Sequence, residues 1–401
     1  FASVNHDQTD GIRDSTDFKI TNGYAKIGYT INEHFSAMAD FSIAKFDAND
    51  NGPVFKPAFF NVDILRGKTS FALMNKFAKS EGALKVYHNF GDHDLSDGFI
   101  SSDRNSGIML YQTFRLFKGN IFTVGTDLIQ YGGKANGGMA KDKLKTVNDV
   151  AGYVYTQQAI GTQLTASAGL RLENHTIFGT EWVPTGGIAY NPTNATTFKA
   201  TVSKGFRSPS IMELYLYAPN PELKPERMMN YEISYLQSLL NKKLRFELTG
   251  YVADGCNMIE VVGVRPNAKR QNVGKFNNKG IEVSVNYMPL QNLHLHSNYS
   301  FLYQEKITLA APKQQFNINA NYSYKIWSLF AGLQYIDKLY TSLKPIKTQS
   351  YALVNARLSV MPLKNLSVFV TGNNLLNQQY EINYGYPMPK TNFSAGINLK
   401  F

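Results

Sequence analysis

Apolar and polar side chains alternate along this chain from Phe35 to its final residue, broken only by turn-like and polar segments. Phe316, Ile318, Ala320, Tyr322 and Tyr324 stand against Asn317, Asn319, Asn321, Ser323 and Lys325, and a helix would mix Asn and Phe on one face. The same switch runs through Phe35–Ile43, Leu164–Glu173, Leu244–Thr249, Ile281–Tyr287 and Phe393–Phe401. Period two means a strand with one greasy and one wet face, and about ten residues suffice for a tilted strand to cross a bilayer. One such strand fits a soluble sheet equally well; the recurrence is what points to a membrane barrel.

The connections sharpen this expectation. Short turns fall at 31–34, 118–119, 161–162, 191–194, 241–242, 289–291, 325–326 and 362–363, with longer polar segments between them at 91–102, 133–145, 207–227, 262–271 and 304–313 and a last one at 374–390. Short on one side and long on the other is the asymmetry of an outer-membrane barrel, with short periplasmic turns and long extracellular loops. Counting between turns predicts an all-β transmembrane antiparallel barrel over residues 1–401 with about 20 strands. No stretch is apolar for the ~18 residues a membrane helix needs, and mean hydropathy is −0.27, values a barrel tolerates because its strands are only half apolar. A propeller would show a blade motif at fixed period, and none is present.

Net charge is +11, but Lys and Arg are scattered over strand faces and loops, which fits a watery lumen and lipid headgroups better than nucleic acid. The single Cys256 excludes an internal disulfide framework, and no nucleophile elbow, P-loop or zinc-binding helix stands in context, so no enzyme is expected. Residue 1 is Phe with no leader ahead of it, and the chain is expected to be the C-terminal part of a longer precursor.

One loop carries a motif. Gly205-Phe206-Arg207-Ser208-Pro209-Ser210, then Glu213-Leu214, then Asn220-Pro221-Glu222-Leu223-Lys224-Pro225-Glu226 resembles the paired signature of TonB-dependent outer-membrane receptors. Asn277-Asn278-Lys279-Gly280-Ile281-Glu282, Gly372-Asn373-Asn374-Leu375-Leu376-Asn377 and the terminal Phe401 resemble later features of that family in the same order. The resemblance implies a barrel of about 22 strands around an N-terminal plug. It also implies uptake of a scarce metal chelate (siderophore, corrinoid or haem) with energy relayed by the TonB complex in the outer membrane of a Gram-negative bacterium. Partners implied with it are outer-membrane lipid and lipopolysaccharide, and the barrel assembly machinery through Phe401. The strand count then predicts that the plug and the first barrel hairpin lie outside this chain. The alternative from another class is a passive porin or surface-binding barrel.

Chemically, the motif reads as structural. Gly205 is expected to permit a tight strand exit, Pro209, Pro221 and Pro225 to stiffen a loop crossing the mouth, and Arg207 and Glu226 to pin it by charge-assisted bonds. The Phe206, Glu213, Asn220 and Leu223 positions belong to the same signature. Tyr215 and Tyr217 are the better ligand candidates, since loop aromatics offer flat area to macrocycles or catecholates. His88 and His93, near Asp92 and Asp94, supply imidazole and carboxylate of the kind that ligates copper, zinc or haem iron; the bland reading is a polar loop entry. Haem receptors of the family often carry a His between the signature halves, and none lies between Phe206 and Asn220 here. No covalently held cofactor is expected; a metal chelate is cargo.

Overall fold

The computed structural model describes residues 1–138, 141–263 and 267–400, so Phe401 lies outside the described residues. On the first half of the chain lie β1 (Ala2–Thr9), β2 (Phe18–Thr30), β3 (Phe35–Asp50), β4 (Phe60–Lys76), β5 (Ser80–Leu95), β6 (Ile100–Phe114), β7 (Asn120–Ala135), β8 (Lys145–Ile160), β9 (Leu164–His175), β10 (Gly179–Thr193) and β11 (Thr196–Arg207). A single helical turn, α1 (Ile211–Tyr215), follows. Beyond it come β12 (Glu226–Leu239), β13 (Leu244–Val262), β14 (Lys269–Leu290), β15 (Leu293–Gln304), β16 (Gln314–Tyr324), β17 (Trp327–Leu343), β18 (Ile346–Leu363), β19 (Leu366–Asn373), β20 (Glu381–Asn383), β21 (Tyr386–Pro387) and β22 (Asn392–Leu399).

Apart from β20 and β21, which pair only with each other, the strands form one 20-stranded sheet. Each strand pairs antiparallel with its neighbour in sequence, and β19 passes over the small hairpin to pair with β22. Among the described residues, β1 pairs only with β2 and β22 only with β19.

The alternation read from sequence sorts the two faces. Ile233, Ile281, Ile318 and Leu172 are well exposed although they sit within paired strands, as side chains meant for hydrocarbon must be. Their neighbours point into a polar bore: Asn317 donates to Asn298 at 2.8 Å, and Glu282, Thr249 and Ser300 line the same wall. Cys256 is half-buried on β13. On the wet face Tyr251 lies opposite Gly280, its ring occupying the space a Cβ there needs, and Tyr153 does the same to Gly125.

Two expectations about connections are corrected. Segment 91–102 is mostly strand: Gly91 to Asp94 pair with Asp103 to Ile100, leaving only 96–99 as the tip. Above the bilayer both faces are wet, and the pair Arg104–Asp92 (2.9 Å) stabilises a hairpin that no hydrophobic pattern announces. Nor is every connection on that side long, since 176–178 and 344–345 are tight.

Candidate functional site

The motif loop, 208–225, spans the mouth between β11 and β12, and its fixed points are charges and buried apolar side chains. At its base Arg207 and Glu226 are direct cross-strand partners, with Arg207 Nε donating to Glu226 at 2.7 Å. The same guanidinium forks onto Glu213 through Nη1 and Nη2 at 2.9 and 3.2 Å. Glu213 also closes the N-terminus of α1: its carboxylate accepts from the Ser210 backbone N–H at 2.8 Å while Ser210 Oγ accepts from the Glu213 N–H. Burial alone pushes the Glu213 carboxyl up, but the bonds from Arg207 and Ser210 outweigh it and hold the group below its usual range. The two carboxylates raise the Arg207 guanidinium further above its ordinary value.

Pro209, Leu214, Leu223 and Pro225 are fully buried beneath the loop, while Pro221 is exposed. Asn220, also buried, donates to the Arg270 carbonyl at 2.8 Å and accepts from the Glu222 N–H at 3.1 Å. Arg270 and Asn272, from the start of β14, complete the clamp. Arg270 Nε donates to the Tyr217 carbonyl at 2.9 Å, and Asn272 exchanges two 2.8 Å bonds with Lys224. Neither residue was singled out in the sequence, because a partner some fifty positions away leaves no local pattern.

Gly205 does not end its strand. It lies inside β11 opposite Met228 with room for a Cβ, and β11 runs on to Arg207. Phe206 pairs with Arg227 and sets its ring edge-on to Phe178, which in turn stacks on His175. Just below the loop, pairing of β10 with β11 stops at Thr185 and Ser203, although β9–β10 continues up to Gly179. Buried Glu181 joins the two halves across this seam, accepting from Lys204 at 3.1 Å and from Arg227 Nε at 2.9 Å.

The ligand candidates separate. His88 and His93 both lie on β5, not on a loop, and an odd spacing on a strand turns them to opposite faces. His88 meets Ser106 at 2.8 Å; His93 faces Arg66, Ser101 and Asp103. A shared imidazole site at these two residues is therefore ruled out, and no cluster of metal-ligating side chains occurs among the described residues. Tyr215 and Tyr217 do stand at the mouth. Lys145 Nζ lies 4.9 Å above the Tyr215 ring, and half-exposed Tyr217 has Phe99 6.1 Å away.

Between α1 and the upper wall of β6–β8 opens a cavity of about 300 Å³. Tyr131, Tyr215, Met212, Lys134, Lys143 and Lys145 line it, and among the described residues none of these lysines is paired with a carboxylate. The arrangement offers flat aromatic area and uncompensated positive charge to whatever enters the mouth.

A meander of amphipathic strands, greasy outside and polar within, with a clamped loop across one mouth, defines an outer-membrane receptor barrel. The family model described as TonB dependent receptor-like, beta-barrel matches residues 2–375, and the chain belongs to that family. It is similar to the vitamin B12 transporter BtuB of Photobacterium profundum, with 26% identity over 248 residues, covering 58% of this chain and 40% of that protein. The iron-regulated outer membrane virulence protein of Vibrio cholerae is 21% identical over 380 residues, covering 82% of this chain and 58% of that protein. The chain thus spans about half the length of the curated relatives it matches. In fold it resembles a mutant ferric enterobactin receptor of Pseudomonas aeruginosa, with a TM-score of 0.81, 14% identity, and coverage of 98% of this chain and 72% of that one. Its place is the outer membrane of a Gram-negative bacterium.

Proposed function

We propose that this barrel serves active import of a metal chelate, a siderophore, corrinoid or haem, captured at the extracellular mouth and released inward with energy relayed by the TonB complex. The observation that carries the reading is the cavity under α1, where Tyr215 and Tyr131 lie at the edge of the lumen beside Lys143 and Lys145, neither of them paired with a carboxylate among the described residues. Family membership supports the energy coupling, and the names of the relatives, a vitamin B12 transporter and an iron-regulated protein, support the cargo class.

In this reading β1 and β22 are joined through a further hairpin and the bore is filled by a plug, because unpaired strand edges in hydrocarbon cost several kcal/mol per group. Equilibrium binding of the full-length receptor to a ferric catecholate, a cobalamin and haem tests it. One class binds tightly and loses roughly tenfold in affinity on Tyr215→Ala, about the worth of one buried aromatic contact. Steady conductance in planar bilayers with no binding of any of the three makes the protein a passive pore instead.

A further inference from the structure

The two rims of the barrel are charged differently. On the long-loop rim cations and carboxylates interleave, as in the pairs Arg207–Glu213, Lys306–Glu260 and Lys45–Asp63. The short turns of the other rim carry Lys79, Lys118, Lys242, Lys243, Lys325 and Lys364, all exposed, and the carboxylate within these turns is Glu33 alone. Among the described residues none of the six is paired with a carboxylate; Arg115, by contrast, is held by Glu81 at 2.9 Å.

Position decides what such cations meet. Lys118 follows Phe117, Lys242 follows Leu240 by two, Lys364 follows Leu363, and Lys325 precedes Ile326 and Trp327, all of these apolar residues being large and exposed. A greasy anchor beside a flexible ammonium is the pattern of a side chain rooted at the edge of the hydrocarbon and reaching outward to the headgroups. The lysines also fall on turns from β4–β5 round to β18–β19, spread along the sheet. An acidic protein docking at one point is better matched by a single patch than by a collar.

We propose that these six turn lysines bind the phosphates of anionic phospholipids in the periplasmic leaflet, fixing the depth of the barrel in the membrane. The proposal rests on the rim itself and stands apart from the identity of any cargo.

Full-length receptor in detergent, equilibrated with equimolar phosphatidylethanolamine and phosphatidylglycerol, is purified and its retained lipid quantified. Phosphatidylglycerol is retained over phosphatidylethanolamine at a ratio of about five to one, the partition of one cation beside an anionic surface, and 1 M salt returns the ratio to one. Changing all six lysines to Gln returns retention to the mixing ratio; changing all six to Arg preserves the excess, which also controls for folding. Changing Lys56, Lys338 and Lys344, on the opposite rim, to Gln leaves it intact. The proposal is overturned by wild-type retention at the mixing ratio, by an excess that survives 1 M salt or the Gln changes, or by loss on changing the opposite rim. Lysine-dependent binding to polyglutamate without any lipid preference overturns it too, and assigns the collar to an acidic partner.

Discussion

Arg207 and Glu226 face each other on the last rung of β11 and β12 and fasten the motif loop where it leaves the sheet. One guanidinium therefore serves two carboxylates, Glu226 at the base and Glu213 in α1, and loop and helix are held as one piece. Arg207→Ala leaves both carboxylates without their partner. Because Arg207 is half exposed, water recovers part of the loss, and the loop should open more easily by about 1–2 kcal/mol. Arg207→Lys recovers only part, since an ammonium cannot fork onto Glu213 while holding Glu226. Hydrogen exchange over 208–225 reads this directly; unchanged protection in Arg207→Ala contradicts the clamp.

Acid should release the same loop late. Glu213 has its carboxyl held below the ordinary range in the folded loop, burial being outweighed by the bonds from Arg207 and Ser210. Its contribution is complete above the unfolded value of about 4.3 and is lost only as pH falls through the lower folded one. A fluorophore on Tyr217→Cys, in a Cys256→Ser background, should report the same loop order at pH 7 and pH 5 and loosening only below about pH 4. Loosening between 7 and 5 contradicts the assignment.

Inside the bore, the ring of Tyr251 takes the space of the missing side chain at Gly280. Gly280→Val should therefore destabilise the barrel by about 1–3 kcal/mol. The same change made on Tyr251→Ala should cost much less, because the colliding ring is gone. Urea unfolding in lipid vesicles measures both; additive losses contradict the packing.

Much of the barrel was legible because period two is a local property. Leu244 to Thr249, or Phe316 to Tyr324, declares its faces without reference to any partner. Most turn positions followed for the same reason, although the turn expected at 362–363 falls at 364–365 and those at 191–194 and 289–291 lie largely within β10 and β14. What escaped were features set at a distance. The extended β5–β6 hairpin is stabilised by cross-strand charges such as Asp92 with Arg104, and a wet strand of that kind reads as a loop. Arg270 and Asn272 clamp the motif loop from β14, and Glu181 bridges the β10–β11 seam, through contacts no neighbouring residue announces. His88 and His93 are a different case: once the segment is a strand, their odd spacing separates them.

The central claim is that each strand shows hydrocarbon one face and water the other. Spin labels at Asn317→Cys and Ile318→Cys, in the Cys256→Ser receptor reconstituted in lipid, test it through their collision rates with oxygen and with a water-soluble nickel chelate. The label at 318 should favour oxygen and the label at 317 the chelate, with the preference reversing again at Asn319→Cys. Equal accessibility at the three adjacent positions, or lipid contact at 317 and 319, contradicts the account.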